Sequence, residues 1–347
     1  MSLPANPIVI GASTLLLAAA TSISMGFFTS NQMPVAGRNV VITGGSQGMG
    51  KAAAVLLASQ GASVAIIARD QKKLAIAGEE IQSVIDANGS KYPGQKLAII
   101  SADLSEADGA QRAISQAEAQ LGETEILWCC AGGANPGFFK DYTPAELEAS
   151  MKTNYWSAVF IAHATLKLMA SRPPPRPDAS KPALQRKIIF TSSLVALCPV
   201  VGYSSYVGAK AALRALTDTL RQECLLYDIG VHCCCPGGIL TPGFENENLT
   251  KPDVTKKIEE EDDKPQTPEQ VALICLNELQ RGETLPITTF LARAARAGSI
   301  GPTPRVGFVF EVILSWIAAI VFIFVRKGHD AIVIKERKAK GLPWEQK

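Results

Sequence analysis

A chain of 347 residues has room for one large domain or two smaller ones. It is 47% hydrophobic and 19% charged, with 34 Lys+Arg against 32 Asp+Glu. That composition excludes a disordered polyampholyte, and a formal net charge of +2 leaves no electrostatic footprint for nucleic acid.

The first element is an apolar run. Ile8 to Phe28 carries no charge and is long enough to cross a hydrocarbon core at ~1.5 Å per residue. The residues before it hold no Lys or Arg, so residues 1–33 read as a retained transmembrane anchor rather than a cleaved leader. Basic residues begin afterwards, at Arg38 and Lys51, which places the following domain in the cytosol.

Residues 34–285 read as one α/β domain. Six short apolar runs are expected to be strands: Asn39–Thr43, Ser63–Ala68, Leu97–Ser101, Glu125–Cys130, Lys187–Ser192 and Ile229–Cys235. Stretches of helical periodicity separate them, so the expected fold is a doubly wound, Rossmann-type parallel sheet with helices on both faces. The proline-rich stretch from Arg172 to Pro182 is an exposed loop. Eight cysteines contain no CxxC pair and only three histidines accompany them, so no metal is expected. Cys129–Cys130 and Cys233–Cys235 lie in strand-like runs and read as small buried hydrophobes facing a reducing compartment. Residues 286–347 form a second membrane-associated segment and a basic tail. Within it Val306–Val325 carries one charge, Glu311, and fits a span, a re-entrant segment or a buried helix.

The chemistry begins after the first strand. Gly44-Gly45-Ser46-Gln47-Gly48-Met49-Gly50 leads into a helix, as a pyrophosphate-binding turn does. The second strand ends at Ala68-Arg69, without the acid that bonds a ribose 2′-OH. Arg69 suits a 2′-phosphate, so NADPH is the expected cofactor, and Asp70 reads as a helix cap. Lys51 either adds positive charge there or sits on a solvated helix face. Asp103-Leu104 and Ala131-Gly132 follow the third and fourth strands, at the sheet edge where ligands bind. Tyr206 and Lys210 lie one helical turn apart, and an ammonium there lowers a phenol pKa. Ser192-Ser193 end the fifth strand.

Taken in order, Thr43-Gly44-xxx-Gly48-x-Gly50, Asp103, Cys130-Ala131-Gly132, Asn154, Ser193, Tyr206-xxx-Lys210 and Pro236-Gly237 resemble a short-chain dehydrogenase/reductase over about residues 36 to 285. The resemblance implies Tyr206 as general acid, Lys210 as its modulator and ribose holder, and Ser193 as donor to the substrate carbonyl. It implies Asn154 as holder of a relay water. It also implies cofactor contacts from Gly44, Ser46, Gln47, Gly48, Gly50, Arg69, Asp103, Leu104, Ala131, Gly132, Tyr206, Lys210, Pro236, Gly237 and Thr241. Cys129-Cys130 stands where the family commonly has Asn-Asn. The stretch Pro236–Pro252 is similar to the substrate loop of the fungal 3-ketodihydrosphingosine reductases. That similarity implies NADPH-dependent reduction of a long-chain sphingoid ketone in the endoplasmic reticulum membrane, with the catalytic domain facing the cytosol. The family further implies a homo-oligomer. A 3-ketoacyl-CoA or a steroid remains an alternative substrate, and a non-catalytic scaffold the alternative of another class.

Overall fold

Six almost wholly apolar strands form one parallel sheet in the computed structural model, which describes residues 31–175, 184–261, 264–299 and 308–340. The strands are β1 (Asn39–Thr43), β2 (Ser63–Ala68), β3 (Leu97–Ser101), β4 (Ile126–Cys129), β5 (Arg186–Thr191) and β6 (Ile229–Cys234). Their spatial order is β3-β2-β1-β4-β5-β6, so the chain reverses direction of travel between β1 and β4. Register there pairs Thr43 with Cys129. In such sheets the ligand crevice opens at the carboxyl ends of the strands flanking that reversal.

Side chains alternate between faces along each strand. Val40, Ile42, Val64, Ile66 and Trp128 bury into one layer against α1 (Gly48–Ser59), α2 (Gln71–Asn88) and the later α9 (Pro268–Gln280). Val41, Ala65, Ile67, Leu127 and Phe190 bury into the other, against α3 (Ala107–Leu121), α5 (Ser157–Ala170) and α6 (Ser204–Glu223). Short α4 (Pro144–Met151) runs through a π-helical stretch, Lys152–Trp156, directly into α5. Each predicted strand is present, with ends shifted by at most one residue. Met33 is fully buried in the first layer, and Gln32 donates its N–H to Gln280 O at 2.8 Å, so the fold is already anchored at these residues. The apolar run Ile8–Phe28 lies outside the described residues, as does most of the proline-rich loop. All eight cysteines are free thiols, six of them buried.

Beyond β6 come α7 (Pro242–Thr250), α8 (Asp253–Glu261), α9, α10 (Phe290–Gly298) and α11 (Phe308–Lys340). The segment between α9 and α10 runs beside β6, where Cys233 and Cys235 donate to Thr284 O and Pro286 O. Arg296 on α10 fastens this region. Its guanidinium bonds Glu283 at 3.1 Å, Glu311 on α11, and Leu285 O at 3.0 Å, all out of solvent. Glu311, Ser315 and Ala318 form the buried stripe of α11. Phe310, Ile313, Trp316, Ile317, Ile320 and Phe324 are exposed on it. Among the described residues no helix is long and apolar enough to cross a membrane.

His232 on β6 is buried, its Nδ1 bonded to Glu283 O at 2.9 Å and its Nε2 without a partner. Burial pulls its pKa down to about 3, below the ~6.5 of an exposed imidazole. A depressed folded-state pKa means that the unfolded chain binds the proton more tightly. His232 therefore contributes full stability above pH ~6.5, lost progressively as the pH falls toward 3. Urea midpoints between pH 7 and pH 4 are expected to fall more steeply for the wild type than for His232→Gln.

Candidate active site

The carboxyl ends of β1, β2, β4, β5 and β6 enclose a cleft of about 1010 Å³. Gly44, with φ +69, opens the turn after β1. A Cβ there would stand 2.8 Å from Ala131 N, so only glycine allows the first and fourth strand ends to meet. Thr43 Oγ1 accepts from Ala131 N at 3.2 Å and holds the second turn against the first. α1 then begins without a side-chain cap and with no acid in its first turn. Its N-terminal N–H groups and positive dipole end face the cleft, which suits a pyrophosphate.

Ser46, Gln47, Gly48, Gly50, Arg69, Asp103, Leu104, Ala131, Gly132, Pro236, Gly237 and Thr241 all line this cleft. Asp70 is committed elsewhere. Its carboxylate caps α2, accepting from Lys72 N and Lys73 N at 3.0 Å. That leaves Arg69 as the charged side chain at the end of β2, joined by Lys73, whose ammonium bonds Gln47 Oε1 at 3.0 Å. Lys51 is turned away and pairs with Glu80 at 2.6 Å on the solvated face of α1. Ser105 bonds Asp103 and pulls its carboxyl down. Gly237 N bonds Thr288 Oγ1 at 3.2 Å, and Thr241 caps α7 through Phe244 N at 3.0 Å.

The groups expected to react sit further in. Ser193 and Tyr206 both line the cleft, close enough for Ser193 to pull the Tyr206 phenol down. Ser192 is buried and donates to Lys210 O at 2.7 Å, so the doublet divides into a packing residue and a cleft residue. Lys210 lies with its ammonium 5.4 Å from the Tyr206 ring centre and donates to Thr191 O at 2.9 Å. Burial pulls its pKa down to about 8. Burial also pushes the Tyr206 phenol up, against the downward pull of Ser193. Asn154 is buried in the π-helical stretch. Its amide donates to Gly133 O and Ser150 O and accepts from Gly133 N at 3.0 Å. A Cβ on Gly132 would stand 2.7 Å from Asn154 Oδ1 and 3.2 Å from Lys210 Nζ, so these groups converge behind the cleft.

A family profile described as short chain dehydrogenase matches residues 38–252. The chain belongs to the short-chain dehydrogenase/reductase family. The family is nicotinamide-dependent, so the chain is an oxidoreductase. The 3-ketodihydrosphingosine reductase ksrA of Aspergillus fumigatus is 38% identical over 340 residues, covering 92% of this chain and 91% of that protein. The 3-ketodihydrosphingosine reductase TSC10 of Cryptococcus neoformans is 36% identical and covers 91% of each. The 3-ketodihydrosphingosine reductase gsl-3 of Neurospora crassa is 34% identical over 92% of this chain and 88% of its own. A short-chain dehydrogenase/reductase crystal structure from Mycobacterium marinum superposes with a TM-score of 0.62 at 24% identity, over 73% of this chain and 94% of that one. That likeness speaks to the fold.

The family's Asn-Asn position is occupied by Cys129 and Cys130. Cys130 N still donates to Thr43 O at 3.2 Å, and its thiol accepts from Thr191 Oγ1 at 3.5 Å. Burial pushes that thiol up to about 12, so it is a neutral packing group. Several working residues had no motif to announce them. Thr191 is one: its carbonyl accepts from Lys210 and its hydroxyl from Trp128. Lys73 is one basic residue among several on an exposed helix. Tyr203 lacks a lysine four residues on, yet lines the cleft and bonds Glu259 at 2.7 Å and Glu247 at 3.3 Å.

Proposed function

We propose that the chain reduces 3-ketodihydrosphingosine to dihydrosphingosine with NADPH, in sphingolipid synthesis. The observation that carries this reading is the pairing of a Ser193–Tyr206–Lys210 site with relatives named for that activity along almost the whole chain. A bound nicotinamide supplies the hydride to the carbonyl carbon. Ser193 and Tyr206 hydrogen-bond the carbonyl oxygen as it gains negative charge, and Tyr206 then gives it a proton. Lys210 and Asn154 stand behind Tyr206 to return that proton from solvent.

Arg69 and Lys73 would receive the 2′-phosphate, which favours NADPH over NADH. Arg69→Ala is expected to lower the NADPH-to-NADH ratio of kcat/KM about 10- to 100-fold, the worth of a charged hydrogen bond. Equal losses with both cofactors would count against that assignment. Lys210 carries its charge below pH 8 and loses it above, so kcat/KM for the ketone is expected to decline on the alkaline side of about 8.

The site belongs at a membrane in this reading. The exposed apolar face of α11, the uncharged run Ile8–Phe28 and a bilayer-dissolved substrate all support an endoplasmic reticulum location with the domain in the cytosol. The half-exposed Trp156, stacked on Phe160 at 5.2 Å, offers a surface for a homo-oligomer.

The test is the loss of NADPH absorbance by detergent-solubilised protein offered 3-ketodihydrosphingosine, a 3-ketoacyl-CoA and a keto-steroid in parallel. Preference for the first supports the proposal. Preference for another ketone would overturn the substrate and keep the chemistry.

A further inference from the structure

α7 lines one side of the cleft through Gly243, Phe244, Glu247 and Asn248. Thr241 caps it and Pro242 opens it, and residues 244, 247 and 251 fall on one face at helical spacing. That face holds Phe244, Glu247 and Lys251. Lys251 is buried over the Phe244 ring at 4.5 Å and the Tyr203 ring at 5.8 Å. Its ammonium bonds Glu259 Oε2 at 2.6 Å. Tyr203 reaches Glu259 at 2.7 Å and Glu247 at 3.3 Å. The Ala134 backbone, in the loop after β4, pulls the Glu247 carboxyl down.

One phenol proton cannot serve two carboxylates. The shorter contact gives it to Glu259, which already holds the lysine. Two carboxylates and one ammonium leave this cluster one negative charge in excess. Among the described residues Glu247 makes no direct ion pair, and it lines the same cleft as Ser193 and Tyr206. The Tyr203 and Tyr206 rings are 6.1 Å apart, so Glu247 stands one ring away from the proton donor. Lys256, Glu260 and Lys264 line the cleft as well.

The geometry points to Glu247 as the receptor for the ammonium of a 2-amino-3-ketone, and so as a specificity determinant of the reaction proposed above, on which this assignment rests. The substrate of that reaction carries its amine on the carbon beside the reacting carbonyl. A carbonyl held by Ser193 and Tyr206 therefore brings the ammonium to the side of the cleft that α7 lines. Burial raises the Glu247 carboxyl above its ordinary range, and a cation bound there would reverse that rise.

The test compares two ketones: 3-ketodihydrosphingosine and 1-hydroxyoctadecan-3-one, which lacks only the amine. For Glu247→Gln the ratio of kcat/KM, aminoketone over ketone, is expected to fall about 10- to 100-fold, mostly through KM. Glu247→Asp keeps the charge and is expected to restore part of the ratio. An unchanged ratio in Glu247→Gln, whether both rates hold or both drop together, would overturn the assignment and leave Glu247 a structural tie between α7 and Tyr203. A wild-type enzyme that reduces the plain ketone but not the aminoketone would overturn the assignment and the proposed substrate together. A wild type that prefers the aminoketone while Glu247→Gln shows an unchanged ratio keeps the substrate and rejects Glu247 alone.

Discussion

Tyr206→Phe is expected to lower kcat/KM for ketone reduction by about 10²- to 10⁴-fold, the range for loss of a positioned general acid. The substitution removes one oxygen from a ring that packs between Tyr203 and Lys210. No backbone contact depends on that oxygen. Binding of NADPH, followed by fluorescence titration, is expected to persist, because the cofactor turn is built from Gly44, Thr43 and the start of α1. Turnover at the wild-type rate would sink the assignment of the proton donor. The residue's high pKa in the free site fits the role of acid: the phenol arrives protonated and gives up its proton only when an alkoxide forms beside it.

Arg296→Leu is expected to cost about 3–5 kcal/mol, because it removes one partner from a buried ionic triad and leaves two carboxylates without a cation. Glu283 and Glu311 are both out of solvent, and burial already pushes the Glu283 carboxyl up. The guanidinium also holds Leu285 O, so the segment beside β6 loses a tie as well. Chemical denaturation of the detergent-solubilised chain measures this. The triple replacement by apolar residues, at positions 283, 296 and 311 together, is expected to recover much of the loss, since no unpaired charge then remains. If Arg296→Leu unfolds at the wild-type denaturant concentration, the triad does not hold α11 to the domain.

Most of the sheet could be read before any coordinates. Val40–Thr43 and Ser63–Ala68 are uninterrupted apolar runs, and burial on both faces leaves such runs no other place to go. The cofactor turn was legible because its glycines answer a local geometric demand. Tyr206 and Lys210 stood out by their spacing, but their roles and that of Ser193 came from the resemblance to the family. The hidden part acts across long separations. Glu247 and Glu259 meet at Tyr203 from three different elements, and no local pattern encodes that meeting. Arg296 stands with Arg293 and Arg305 ahead of the apolar stretch Val306–Val325 in the sequence, and only folding brings Glu283 and Glu311 around it. Lys51 had two readings, and Glu80, a helix away in sequence, decided between them.

The π-helical stretch at Lys152–Trp156 is a phase slip in what is otherwise one continuous rod. An α-helix repeats every 3.6 residues, and a π-turn takes up one residue more than that repeat allows. Removing a single residue there would restore a regular helix and rotate α4 against α5 by about 100°. The straightened rod would have better backbone hydrogen bonds and no inward amide, because Asn154 would leave Gly133 and the back of Lys210. Local stability and catalytic geometry thus pull in opposite directions at this point, and the fold retains the irregularity.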